Sequence, residues 1–65
     1  MRITLNGKPF DFDEPHTVES LLIKLDLTGR LAVEINKNII PRSHFPSHVI
    51  QSTDSVEIVH AIGGG

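Results

Sequence analysis

Histidines, a small group of carboxylates and a run of glycines carry most of what could do chemistry in this 65-residue chain. His16, His44, His48 and His60 invite a metal reading, since neutral imidazole is a common ligand. His44 and His48 stand four apart, but Pro46 between them breaks any regular helical face. Without cysteine, or an acidic residue at a ligand spacing, the histidines read as surface residues and no metal site is expected. Asp11, Asp13 and Glu14 could act as an acid and base pair inside a cleft. A domain this small has little room for such a cleft, and these residues fall where a connector is expected, so they read as a solvated face. Asp26, Asp54, Ser43 and Ser55 form no nucleophile signature. No catalytic residue is assigned, and an autonomous enzyme is not expected.

What remains is Gly63-Gly64-Gly65, directly after the apolar, β-branched run from Val56 to Ile62. These glycines form neither a P-loop nor a dinucleotide fingerprint, because both need a helix after them. Lacking Cβ atoms, they can pass through a channel too narrow for side chains. Extended, three residues reach about 10 Å. A C-terminal carboxylate titrates at about 3.3 to 3.7, so it is ionised at neutral pH and a poor electrophile. Transfer chemistry there needs activation by a partner enzyme, as an anhydride made from ATP with magnesium neutralising the phosphates. With no cysteine in the chain, no side chain can carry a persulfide or a thioester. The Gly65 carboxylate is therefore the one group left for sulfur or acyl chemistry. The plain alternative is a frayed terminus or an added linker.

Composition bounds the partners. A single domain is expected, burying only about 60% of its unfolded surface, so nearly every apolar residue should serve the core. With 38% hydrophobic and 22% charged residues the chain reads as globular. A net charge of -2, spread without runs, gives no footprint for nucleic acid, and protein partners are expected instead. No run approaches the length of a membrane span, and Met1-Arg2-Ile3-Thr4 lacks a secretory pattern. A cytoplasmic protein without membrane association is the expectation.

The elements that must position the glycines follow from periodicity. Met1, Ile3 and Leu5 alternate with polar residues, and Asn6-Gly7 supplies the positive φ angles of a two-residue hairpin turn. Closing the hairpin there pairs Leu5 with Lys8, Ile3 with Phe10 and Met1 with Phe12, which puts the apolar residues on one face. Pro9 cannot donate to a ladder, so the second strand should be an edge. Thr17 is a good N-cap with Glu19 in the first turn. Val18, Leu21, Leu22 and Leu25 then form the stripe of an amphipathic helix predicted to end near Gly29.

Leu31, Val33 and Ile35 alternate as a third strand, and a turn at 36–38 leads to a short extended piece, Ile39-Ile40. Pro41 to His48 suggests a loop with at most one helical turn, a possible cap at Ser43 and Phe45 tucked beneath. The last strand places Val56, Ile58 and His60 on one face and Glu57, Val59 and Ala61 on the other. Its apolar character suits a central strand beside the first. The expected fold is α+β, a β-grasp in which one helix packs across a mixed sheet. Residues 1–62 would form the domain and 63–65 the glycine arm.

Three stretches carry a family resemblance: Ala32-Val33-Glu34-Ile35-Asn36, Ile40-Pro41-Arg42-Ser43, and Val56 through Gly65. Together they resemble the sulfur-carrier family of thiamine biosynthesis, ThiS, over essentially the whole chain. One departure is Ser52-Thr53-Asp54, where the family often has Asp-Gly-Asp, and it bears on the local turn geometry. The resemblance implies that an adenylating enzyme of the ubiquitin-activating type uses ATP and magnesium to activate Gly65. Sulfur from a persulfide relay then displaces AMP, and the resulting thiocarboxylate goes to thiazole synthase.

Under that resemblance Gly63 and Gly64 form the arm that enters partner active sites, and Val59, Ala61 and Ile62 form part of a docking surface. The free carrier would be a monomer with no bound cofactor. Two related readings remain open, the small subunit of molybdopterin synthase and a ubiquitin-like modifier. A pure interaction module, for which the glycines would be dispensable, is a third.

Overall fold

The computed structural model describes residues 1–60. Strand β1, Arg2–Leu5, turns at Asn6-Gly7 into β2, Lys8–Asp11. The turn is the two-residue kind with both central residues at positive φ, 50° and 82°. Leu5 opposes Lys8 and Ile3 opposes Phe10, as the alternation required. Beyond the ladder proper, Phe12 N–H donates to the Met1 carbonyl at 3.0 Å, and the Met1 amino group donates to the Phe12 carbonyl at 2.9 Å. The hairpin register therefore holds out to Met1 and Phe12.

Helix α1 is Val18–Lys24. Thr17 caps it by accepting from Ser20 N–H, and Ser20 Oγ in return accepts from Thr17 N–H, a reciprocal box that satisfies two otherwise free donors. Val18, Leu21 and Leu22 are buried, while Leu25 is half-buried. The helix stops well short of Gly29, where the sequence placed its end. Asp26 takes a φ of 58°, its N–H bonds the Ile23 carbonyl, and Leu27 N–H bonds the Leu22 carbonyl. That pair of bonds is a Schellman closure in which Asp26 occupies the left-handed position usually given to glycine. Gly29, also at positive φ, shapes the following loop instead.

Strands β3, Leu31–Ile35, and β4, Asn38–Ile40, form a second hairpin. Ile35 opposes Asn38, and the two turn residues Asn36 and Lys37 both sit at positive φ, 52° and 71°. A short 3-10 turn, Arg42–His44, follows Pro41, which itself takes the cap position without a side-chain hydrogen bond. The expected cap at Ser43 is thus not formed, because Ser43 lies inside the turn. Phe45 is tucked into the core as anticipated.

His16 departs from the expectation of a surface residue. It is buried, packs edge-on against Phe12 at 5.0 Å between ring centroids, and joins Ser20 Oγ through Nδ1 at 2.9 Å. Its Nε2 is buried without a hydrogen-bond partner, 3.8 Å from a Glu14 carboxylate oxygen. The His16 carbonyl also accepts from Ile50 N–H, so this residue anchors the connector between β2 and α1. His44 and His60 are exposed and His48 half-buried.

The last strand, β5, Ser55–His60, lies in the centre of a sheet ordered β2-β1-β5-β3-β4. It runs parallel to β1 and antiparallel to β3, and β2 is an edge strand as Pro9 demanded. Ile3, Val33, Ile35, Val56 and Ile58 point to the face covered by α1 and form one core with Val18, Leu21, Leu22, Phe12, Phe45 and Ile50. This helix-on-mixed-sheet arrangement is the β-grasp. No helix among the described residues is long and apolar enough to cross a membrane.

Candidate functional site

The position of β5 is set by unequal support on its two sides. Against β3 it pairs over five residues, from Leu31–His60 to Ile35–Val56. Against β1 the ladder covers only Thr4–Ser55 and Leu5–Val56, because β1 then turns away at Asn6. The side chain of Asn6 completes what the backbone cannot. The backbone N–H of Asn6 still donates to the Val56 carbonyl at 2.9 Å. Its Oδ1 accepts from Ile58 N–H at 2.8 Å, and its Nδ2 donates to the Ile58 carbonyl at 3.2 Å. A side-chain amide thus stands in for the next peptide of the missing strand.

Asn36 does the corresponding work on the other side. Its N–H donates to the Ser55 carbonyl at 2.8 Å, its Oδ1 accepts from Ser55 N–H at 2.9 Å, and its Nδ2 reaches Asp54 Oδ1 at 3.0 Å. Both asparagines sit at the first position of a tight hairpin turn, where positive φ is needed and where asparagine tolerates it. Sequence reading found the turns and missed the clamps. The only local signal was the choice of asparagine at the same position of both turns.

The face of the sheet opposite α1 carries the residues that alternate with the core set. Val59 lies there, 59% exposed, opposite exposed Ala32. In the adjacent row Glu57 stands opposite Glu34, and Glu34 stands opposite Ile39, which is 75% exposed. Arg2 and Asp11 lie further along the same face and form a two-pronged ion pair, both contacts at 2.9 Å. The hydrogen bonds from Arg2, with its charge, hold the Asp11 carboxyl below its usual value. Sequence reading took Asp11 with Asp13 and Glu14 as a solvated face. All three are exposed, and Asp11 in addition has this partner.

Of the residues singled out from sequence, Val59 is therefore on the helix-free face, at the penultimate position of β5. Ala61, Ile62, Gly63, Gly64 and Gly65 lie outside the described residues. Among the described residues no set of three or more histidine, aspartate, glutamate or cysteine side chains gathers around a common point. A groove on the other side of the molecule, between the end of α1 and the 3-10 turn, is floored by Leu22, Leu27, Leu31 and Phe45, with Glu19 and Arg42 also lining it.

Comparison with known proteins places this geometry. The model of the ThiS family matches residues 3–65. The chain belongs to the ThiS family. The sulfur carrier protein ThiS of Escherichia coli is 32% identical over 66 aligned positions, covering all of both chains. A crystal structure of the thiamine biosynthesis protein ThiS from Geobacter metallireducens superposes with a TM-score of 0.89 at 33% identity, again over the full length of both chains.

A thiazole synthase of Magnetococcus marinus is 41% identical over 66 positions, which span all of this ThiS-family chain but 20% of that protein. The ThiS relatives and the structural match agree with the expected β-grasp. The thiazole synthase holds a ThiS-like stretch within a much longer polypeptide.

Proposed function

We propose that this chain carries sulfur in thiamine biosynthesis and is itself not a catalyst. The observation that carries the reading is the ThiS family match, which runs from residue 3 through the glycine end at residue 65. The fold supports it in a physical way. A central strand bonded on both sides and backed by the core gives a rigid mount, and the glycines follow that strand in the sequence.

In this reading the Gly65 carboxylate attacks the α-phosphorus of ATP on an adenylating enzyme of the ubiquitin-activating type, and magnesium pyrophosphate leaves. A persulfide from a sulfur relay then attacks the acyl carbon and AMP departs. Once a thiol has split the new S–S bond, Gly65 holds a thiocarboxylate. Thiazole synthase is the acceptor, a role supported by thiazole synthases that contain a ThiS-like stretch of their own. Gly63 and Gly64 serve as the slim arm, and Val59, Ala61 and Ile62 as part of the surface that docks beside it.

A strain deleted for this protein tests the reading. It should require thiamine or its thiazole precursor, and growth should return when the wild-type chain is supplied. A strain that instead lost molybdopterin-dependent activity and grew without thiazole would assign the carrier to that other pathway.

A further inference from the structure

Strand β5 outlasts its neighbour on one side. β1 ends at Leu5, opposite Val56, and the chain turns away through Asn6 and Gly7. Backbone groups alternate in direction along a strand, so Ile58 N–H and C=O face the side that β1 has left, and the Val59 amide faces β3. Asn6 meets Ile58 with both polar atoms of its side chain, accepting at 2.8 Å and donating at 3.2 Å. A primary amide offers an acceptor and a donor side by side, the pattern of a strand edge. A longer β1 would supply the same bonds only by running on beside the residues that follow Ile58. The turn leaves that flank clear, since a Cβ placed on Gly7 would meet nothing within 4 Å.

We propose that Asn6 is a positioning residue for transfer at Gly65: by holding Ile58 it fixes the end of β5 from which the C-terminal residues are delivered to the adenylating enzyme. This rests on the sulfur-carrier reading and assigns a residue to its first step. Asn6 touches neither ATP nor the reacting carboxylate and acts through Ile58. With the amide in place, Val59 and His60 start from a residue bonded to Asn6 on one side and flanked by β3 on the other. Without it, β5 beyond Val56 is paired, among the described residues, with β3 alone, from Val33–Ile58 to Leu31–His60. The strand end can then lift from the sheet. A carrier with a lifted end must re-form it on docking, so apparent affinity falls with the fraction already in place. Once bound, the enzyme holds those residues itself and the chemical rate is unchanged.

The test separates positioning from stability. Asn6→Gly keeps the turn, because glycine takes positive φ freely, and removes the amide. Thr17→Ala removes the cap of α1, outside β5 and the strands beside it, and lowers stability by another route. Pyrophosphate release by the adenylating enzyme of the same organism, with magnesium ATP, is followed as carrier concentration is varied. Asn6→Gly should raise the KM for the carrier about two- to fivefold and leave kcat unchanged. Thr17→Ala should keep the wild-type KM and kcat even where it melts no higher than Asn6→Gly. Asn6→Asp, which keeps the acceptor for Ile58 N–H and loses the donor, should fall between wild type and Asn6→Gly. Without any partner, amide exchange at Val59, which faces away from Asn6, should accelerate more in Asn6→Gly than in Thr17→Ala.

An Asn6→Gly carrier with the wild-type KM overturns the proposal. So does a Thr17→Ala carrier whose KM rises as far, because global stability would then account for the effect. If the enzyme does not adenylate the wild-type chain, the carrier reading falls. If it adenylates wild type and Asn6→Gly alike, only the positioning role falls.

Discussion

The side chain of Asn6 holds the backbone of Ile58, 52 residues away in sequence, through two hydrogen bonds of 2.8 and 3.2 Å. A hairpin turn is thereby welded to the middle of the strand that precedes the glycines. Both partners are fixed by other forces, Asn6 by its turn and Ile58 by burial in the core. Little entropy is lost in making the contact, so it should stabilise the fold.

Replacing Asn6 with glycine isolates this contact, because glycine adopts the turn conformation at least as readily. Asn6→Gly should lower stability by about 1 kcal/mol. Amide exchange at Ile58 should accelerate more than at Val33 or Val56. A variant of equal stability with unchanged exchange would mean that the amide contributes nothing.

Thr53 holds a φ of 71°, a left-handed conformation that is strained for a β-branched residue. It sits third in a turn closed by Asp54 N–H to the Gln51 carbonyl at 3.2 Å, while its own N–H bonds the Arg2 carbonyl at 2.8 Å. That is the place where a glycine would be free of strain. Thr53→Gly should raise the urea midpoint, adding about 1 kcal/mol. A drop in stability would show that the threonine side chain makes a contact worth more than the strain.

Much of this architecture was legible because it is local. The Asn6-Gly7 turn fixes the first hairpin register, the Val18–Leu25 stripe fixes the helix face, and the apolar run from Val56 fixes the central strand. The helix end was misplaced because Asp26 takes a conformation for which glycine is the usual signal, and Gly29 stood nearby. His16 was misjudged because it lies in a connector, where no period reveals burial, and its neighbour Phe12 comes into view only when β2 and α1 are packed together. The Asn6 and Asn36 clamps join residues 52 and 19 positions apart, so no local pattern announces them.

Neighbours on β5 separate scaffold from surface. Ile58 is 7% exposed and Val59 is 59% exposed. Ile58→Asp buries an unpaired charge at a cost of about 3 kcal/mol or more, a large share of the stability of so small a domain, and should leave the circular dichroism spectrum that of an unfolded chain. Val59→Asp should fold normally and weaken binding to thiazole synthase. A Val59→Asp variant that binds normally would remove this residue from the docking surface.

The Arg2–Asp11 pair gives the acid limb a defined contribution. The Asp11 carboxyl lies lower when folded than when unfolded, so its contribution is complete above the unfolded value and fades as pH falls through the folded one. Asp11→Asn should therefore be less stable than wild type at neutral pH, and the gap should narrow as pH falls below the unfolded carboxyl value and through the lower folded one. Urea midpoints across that range measure it. A gap that widens on acidification would contradict the assignment.

The central claim is that Gly65 receives sulfur, and intact-mass spectrometry tests it most directly. Incubated with its adenylating enzyme, magnesium ATP and a persulfide donor, the wild-type chain should gain the mass of one oxygen-to-sulfur exchange. A chain lacking Gly64 and Gly65 should fold and gain nothing. A wild-type chain that stays unchanged under conditions where ATP is consumed, or a truncated chain that still gains the sulfur mass, would contradict the account.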